Sequence, residues 1–121
     1  MIMTSFKKGP YYEKQALEYL LKQRYVLLET NYRSPWGEID LIVKDVRSTP
    51  HTLVFVEVKF RESLRFGAPL EAVSSGKQRK ILRSANAYLN RTPYQGPCRF
   101  DVIGILGDQI EHLENAFESL L

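Results

Sequence analysis

Two acidic residues and a lysine stand among apolar residues in two successive segments of the sequence. Asp40 lies within residues 37–42 (GEIDLI), and Glu57 and Lys59 lie near the end of residues 53–60 (LVFVEVKF). Charged side chains in largely buried strands are unfavourable unless something compensates them. Two carboxylates can coexist there when a divalent cation lies between them, and hard oxygen ligands favour Mg²⁺ or Mn²⁺ over zinc. These residues therefore indicate a metal site.

The carboxylates can meet only if their segments are neighbouring strands. Residues 25–31, 37–45 and 52–60 are rich in aliphatic, β-branched and aromatic residues and are separated by short turns with proline, glycine and serine. Short turns between successive strands imply antiparallel hairpins, in which neighbouring strands lie about 5 Å apart. We therefore expect Asp40 and Glu57 to approach each other if the register agrees.

A third acid, Glu13, lies in the first predicted helix, which runs from about Tyr11 to Arg24 with Pro10 at its start. Its apolar positions recur at helical spacing: Ala16, Leu17 and Leu20. At about 100° per residue, Glu13 falls within about 60° of this stripe. Glu13 is therefore predicted to point towards the sheet.

Basic residues cluster in a second predicted helix, from about Gly76 to Asn90, with Ser74 or Ser75 as its N-cap. No acid occurs from residue 72 to residue 100. On this helix Arg79 and Arg83 lie opposite the apolar stripe and are predicted to face solvent, whereas Lys77 in the first turn can point inward. The uneven charge indicates a surface for an anionic partner.

The order of elements predicts an α/β fold. Residues 99–106 form a fourth strand, and a strand, helix, strand connection indicates a parallel crossover. The expected order is α-β-β-β-α-β around a mixed four-stranded core sheet flanked by helices. Residues 1–121 are interpreted as a single domain, with residues 1–9 flexible and residues 107–121 an acidic, amphipathic tail. Ile110, Leu113 and Phe117 predict a short helix or turn in that tail.

Length and composition limit the number of domains, the disulfides and the location that the protein can have. The chain has 121 residues, a net charge of +3 and one cysteine, so it has the size of one domain and cannot form an internal disulfide. No apolar run approaches the roughly 20 residues of a membrane span. We therefore expect a cytoplasmic location and no membrane partner.

Asp40 followed by Glu57-x-Lys59 resembles the signature of the PD-(D/E)xK, or restriction endonuclease-like, nuclease superfamily, although Ile39 stands where the superfamily's name has proline. Further motifs resemble the YraN-like family of small bacterial proteins. They are Glu13-x-x-Ala16, Asn31-x-Arg33, residues 37–42, residues 54–59, Lys77, residues 99–102 and residues 115–117. They occur in that family's order over nearly the whole chain.

The resemblance implies a nuclease fold similar to that of archaeal Holliday-junction resolvases, which also carry a glutamate on the first helix. It implies Glu13, Asp40, Glu57 and Lys59 as catalytic residues, and Asp40, Glu57 and the Val58 carbonyl as ligands of Mg²⁺ or Mn²⁺. Six basic residues are then expected to engage phosphates of nucleic acid, DNA rather than RNA: Arg61, Arg65, Lys77, Arg79, Lys80 and Arg83. Lys77 is equally compatible with a solvated lysine.

Three functions remain open at this stage. The first is an endonuclease acting on DNA, including branched or damaged structures; resolution of junctions would call for a homodimer. The second is a non-catalytic nucleic-acid-binding module or a subunit of a larger nuclease, and the third is an interaction protein that docks through residues 107–121.

Three residues outside the motif carry alternatives. Asp101 is interpreted as the partner of a neighbouring arginine rather than a fourth site acid. Tyr32 and Trp36 can stack on an unpaired base or merely cover the end of a hairpin.

Overall fold

The computed structural model describes residues 4–60 and 73–117. Their elements follow the predicted order, with one further strand at the end. In chain order they are α1 (Thr4–Lys22), β1 (Tyr25–Ser34), β2 (Gly37–Asp45), β3 (Thr52–Phe60), α2 (Ser75–Arg91), β4 (Cys98–Leu106) and β5 (Gln109–Leu113). The predicted α/β class with a mixed sheet and flanking helices is confirmed.

The five strands lie side by side in the order β1-β2-β3-β4-β5. All neighbours are antiparallel except β3 and β4, which are parallel. The β3 to β4 connection contains α2, as expected for a parallel crossover. This topology puts the strands that carry Asp40 and Glu57 next to each other.

Each face of the sheet is covered by one helix because the central strands are apolar on both faces. Strand alternation directs Val54 and Val56 of β3 into a core cluster with Ala16 and Leu20 of α1. The other face buries Phe55 in a second cluster, together with the α2 residues Ile81, Ala85 and Tyr88. Both helices are thereby fixed against the strands that carry the candidate site.

The start of α1 differs from the prediction. The helix begins at Thr4 rather than Tyr11, so Pro10 lies inside it. Proline is favoured in a first helical turn because its missing N–H is unpaired there anyway, but this preference does not exclude it further along a helix. Within residues 4–60 and 73–117, neither helix combines the length and apolar character needed to cross a membrane.

The prediction of a helix or turn across Ile110 and Leu113 is wrong, because both residues belong to the edge strand β5. Gly107 and Asp108 form a two-residue hairpin loop between Leu106 and Gln109, with Gly107 at a φ of +60°. A glycine with positive φ at the first loop position is typical of a type II′ turn, which directs the chain back antiparallel. Beyond the strand, Ala116 and Phe117 are buried in the core beneath α2.

Candidate metal and nucleic-acid site

The β2 strand is irregular at Asp40. Ile39 packs in the core beneath α2, whereas Leu41 packs in the core beneath α1, although regular alternation would put positions 39 and 41 on one face. Asp40 is half-buried, and its Oδ2 accepts a hydrogen bond of 2.8 Å from the backbone N–H of Val58. The Asp40 carboxylate therefore lies between β2 and β3, where groups from both faces of the sheet can reach it.

The described pairing of β2 with β3 ends one residue before the two predicted acids Asp40 and Glu57. Leu41 pairs with Val56, the last described pair before Asp40 and Glu57, and the Asp40 carboxylate then accepts its hydrogen bond from the N–H of Val58. Burial raises the pKa of Asp40 to about 7, and the negative charge of Glu57 contributes to this increase. The charges of Asp40 and Glu57 thus repel each other in a largely buried position.

Glu13 reaches the same position from α1, as its place in the apolar stripe predicted. Its Oε1 accepts a hydrogen bond of 2.7 Å from the side-chain amide of Asn31. Asn31 has a φ of +50°, a left-handed conformation that asparagine adopts more readily than most residues. Burial, followed by the charge of Glu38, raises the pKa of Glu13, although hydrogen bonds with Asn31 and Asp40 oppose the shift.

Glu38 was not among the predicted site residues, but it belongs to the cluster. Glu13, Glu38 and Asp40 each offer a carboxylate oxygen, and these oxygens lie within 4.8 Å of one another. A set of hard, negatively charged oxygens at such distances fits Mg²⁺ or Mn²⁺. The exposed Glu38 also pairs with Arg33 at 3.2 Å, so its charge is shared between the cluster and that arginine.

Lys77 points inward from the first turn of α2 and contacts the other acid. Its Nζ lies 2.6 Å from Oε2 of the buried Glu57. Burial alone would lower the pKa of Lys77, but the hydrogen bond with Glu57 and the charges of Glu57, Asp40 and Glu38 outweigh it and raise the pKa. Lys77 therefore remains protonated, and positively charged, beside the carboxylates.

Four of the groups described so far, Glu38, Asp40, Glu57 and Lys77, line a cleft of about 490 Å³ between the β1–β2 turn, β3 and the start of α2. Its lining includes Glu38, Asp40 and Glu57 on one side and Lys77 and Lys80 on the other. The cleft thus combines acids that suit a cation with lysines that suit a phosphate.

Lys59 is half-buried in β3 and follows Glu57 by two positions, so strand alternation puts both on one face. Val58, between them, has its N–H occupied by Asp40. Its proposed role as a ligand concerns the carbonyl and stays a prediction.

The described basic residues of α2 divide as the helical pattern predicted. Lys77 and Lys80 line the cleft, and Arg79 and Arg83 are exposed. The side chain of Ser74 accepts a hydrogen bond of 3.2 Å from the N–H of Lys77 and caps this end of the helix. Arg61 and Arg65 lie outside the described residues.

Comparison with known proteins places the chain in a family. The family model described as "Uncharacterised protein family UPF0102" matches residues 12–105, a segment that contains every described site residue. The chain belongs to this family. The UPF0102 match confirms the resemblance to the YraN-like family that the motifs indicated.

UPF0102 proteins of several bacteria are similar to this chain over almost their whole length. One from Shewanella loihica is 44% identical over 110 residues, which is 91% of this chain and 93% of that protein. One from Thermodesulfovibrio yellowstonii is 44% identical over 115 residues, covering 95% and 99% respectively. One from Nitrosomonas eutropha is 45% identical over 118 residues, covering 96% and 98%.

A second polar cluster lies away from the cleft and contains Asp101, which is fully buried. Asp101 accepts hydrogen bonds of 2.9 Å from both Nε and Nη2 of Arg99, as the prediction of an arginine partner required. It also lies 2.8 Å from Nε2 of His112 and accepts a hydrogen bond from the N–H of Asn115. Asp101 therefore joins β4 to β5 and is not a site acid.

The two aromatic residues near the β1–β2 turn have different environments. Tyr32 is buried and packs edge-on against Tyr88, with ring centroids 5.2 Å apart. Trp36 is 44% exposed. Tyr32 thus covers the core beneath α2, as the structural alternative held, whereas Trp36 leaves much of its ring in solvent.

Proposed function

We propose that this UPF0102 protein is a metal-dependent endonuclease that hydrolyses phosphodiester bonds in DNA. The observation that carries the proposal is the position of the Asp40 carboxylate between Glu13 and Glu57, with its pKa raised to about 7. A carboxylate in a cleft whose pKa is raised by burial and by like charges is a candidate functional group. The adjoining lysines supply the opposite charge that a phosphate needs.

The chain offers two overlapping ligand sets for a cation. Asp40 belongs to both: its carboxylate lies with those of Glu13 and Glu38, and with Glu57 and the Val58 carbonyl it would form the second set. When bound, Mg²⁺ or Mn²⁺ makes water more acidic and offsets the negative charge that develops on a phosphate.

The remaining side chains would position the substrate and the water. Lys59 would orient the attacking water and assist in removing its proton, and Lys77 would contact a phosphate oxygen. Lys80, Arg79 and Arg83 would engage neighbouring phosphates, which gives affinity without sequence preference.

One observation favours a second candidate, a nucleic-acid-binding module without catalysis. The 2.6 Å contact with Lys77 already compensates the charge of Glu57 without any cation. A scaffold that no longer bound metal would keep such a pair and the basic surface of α2.

The test is cleavage of labelled single-stranded, duplex, flap and four-way-junction DNA, and of RNA, with Mg²⁺, Mn²⁺ or EDTA. Asp40→Asn serves as the site variant and Glu18→Gln, an exposed acid on α1, as the matched control. We expect metal-dependent cleavage of DNA that Asp40→Asn abolishes and Glu18→Gln retains. Salt-sensitive binding without cleavage by the wild type would favour the binding module instead.

A further inference from the structure

The turn that contains Trp36 is joined to α2 by a hydrogen bond. The hydroxyl oxygen of Ser34 accepts a hydrogen bond of 3.1 Å from the N–H of Trp36 and lies 2.7 Å from the hydroxyl oxygen of the buried Ser84. Gly37, which follows Trp36, has a φ of +145° that other residues rarely adopt. The backbone of Trp36 is thus fixed by the hydrogen bonds of Ser34, which precedes it, and by the unusual conformation of Gly37, which follows it.

Trp36 immediately precedes two residues that line the candidate cleft. The next two residues, Gly37 and Glu38, line it, together with Lys80 of α2. A Cβ atom placed on Gly37 would lie 3.9 Å from the Cβ of Lys80, which shows how closely the turn approaches that helix. The backbone of Trp36 is therefore adjacent to two lining residues of the cleft, at the point where the turn approaches Lys80.

The packing of the core does not account for the exposure of Trp36. Within residues 4–60 and 73–117, it belongs to neither of the two core clusters, whereas Tyr32 at the same hairpin is buried. A tryptophan ring that is 44% exposed presents a planar, apolar surface to solvent, which is the kind of surface on which an unpaired base can stack. The lysines of the cleft favour an anionic ligand, and the exposed ring favours one with an apolar, planar part.

We propose that Trp36 stacks on an unpaired base of a DNA strand whose backbone runs along the cleft past Lys77 and Lys80. The inference rests on the proposed function and specifies its substrate class: single-stranded, flap or branched DNA rather than continuous duplex. Bases within a duplex stack on each other, so their faces are closed to a protein ring, whereas an unpaired base presents its face. The cationic α2, which has five basic residues and no acid, supplies the phosphate contacts.

Trp36 is the only tryptophan in the sequence, so its fluorescence reports on this site alone. The full chain is titrated with oligothymidylate, with a blunt duplex of equal length and with oligouridylate, all in EDTA to prevent metal-dependent cleavage of the probe. We expect saturable quenching by oligothymidylate and little change with the duplex. Tighter binding of oligouridylate would overturn the choice of DNA.

Variants separate stacking from simple proximity. By anisotropy of a labelled oligothymidylate, Trp36→Ala should weaken binding about 5- to 150-fold, the range that one stacked base contributes. Trp36→Phe keeps a ring and should retain most of the affinity. Leu21→Ala, an equally exposed apolar side chain at the far end of α1, should bind as the wild type does. Thermal unfolding checks that all three variants are folded.

The outcomes distinguish this inference from the nuclease proposal. Quenching and loss of affinity in Trp36→Ala without any cleavage would retain the stacking role and overturn the enzyme. Metal-dependent cleavage with unchanged Trp36 fluorescence and unaltered binding by Trp36→Ala would overturn stacking and retain the enzyme. Failure to bind oligothymidylate, or equal quenching by the duplex, would also overturn the stacking role.

Discussion

The ammonium group of Lys77 lies 2.6 Å from a carboxylate oxygen of Glu57, which ties the first turn of α2 to β3 across the cleft. The Glu57 side chain is only 6% exposed, whereas that of Lys77 is 44% exposed. Glu57 is therefore the buried partner, and Lys77 is the counter-charge that makes its burial tolerable. A cation that binds Glu57 has to compete with this ammonium group.

Lys77→Met should lower the free energy of unfolding in EDTA by about 1–3 kcal/mol, because a buried carboxylate loses its partner. Mg²⁺ should restore stability to the variant and should bind it more tightly than it binds the wild type. Urea unfolding with EDTA or Mg²⁺ measures both effects. Lys80→Met, in the same helix and cleft, is the control and should change stability by less than about 0.5 kcal/mol. Equal Mg²⁺ affinity in Lys77→Met and the wild type would contradict the competition.

Asp40→Asn should stabilise the protein in EDTA at neutral and alkaline pH. Because the folded-state pKa of Asp40 is raised to about 7, its protonated form stabilises the fold below the unfolded-state value of about 3.9, and this stability is lost as the pH rises through 7. Asp40→Asn has a side chain that cannot ionise, so its stability does not fall as the pH rises through 7. Its advantage should be on the order of 4 kcal/mol at pH 8 and vanish near pH 3.5. Urea unfolding across this range tests it, and a difference independent of pH would contradict the assignment.

Glu38→Gln should weaken Mg²⁺ binding about tenfold or more if Glu38 shares the cation with Glu13 and Asp40. The substitution removes one negative oxygen donor from the three that lie within 4.8 Å of one another. Isothermal titration calorimetry measures the affinity without reference to any substrate. Glu18→Gln removes an exposed acid from α1 and should leave the affinity unchanged. Wild-type affinity in Glu38→Gln would exclude Glu38 as a ligand.

The predictable parts of the fold are those where the apolar composition of a segment and the turn residues at its ends indicate the same element. The predicted bounds 37–45 and 52–60 coincide with β2 and β3, because long apolar runs end at proline and glycine turns. The edge strand β5 was missed because the spacing of Ile110 and Leu113 fits a helix as well as an exposed strand. The pair Gly107-Asp108 was the local signal for a hairpin.

Site residues were predictable where a charged residue stands within an apolar segment of the sequence. Glu13, Asp40 and Glu57 stand in apolar patterns; the fold puts Glu13 and Asp40 in one carboxylate cluster, and burial together with the charge of Glu57 raises the pKa of both. Glu38 is exposed in its strand, so nothing in its apolar surroundings marked it, although its spacing from Asp40 could have done so. The contact of Lys77 with Glu57 joins a helix to a strand distant in sequence, and its distance depends on packing that local patterns do not encode.

Asp101→Asn should lower the free energy of unfolding at pH 7 by about 3–5 kcal/mol, the usual effect of breaking a buried ion pair. Burial alone would raise the pKa of Asp101, but hydrogen bonds from His112, Arg99 and the N–H of Asn115 outweigh it and lower the pKa. The ionised carboxylate therefore stabilises the fold above its unfolded-state pKa of about 3.9, and this stability is lost as the pH falls through the lower folded-state value.

Urea unfolding followed by circular dichroism from neutral to acidic pH checks the prediction for Asp101→Asn. The stabilities of variant and wild type should converge in acid, since both then lack the charge. Asp108→Asn changes an exposed aspartate in the β4–β5 turn and serves as the control, with a small effect at every pH. If Asp101→Asn unfolded like the wild type at pH 7, the hydrogen bonds that join β4 to β5 would not contribute to stability.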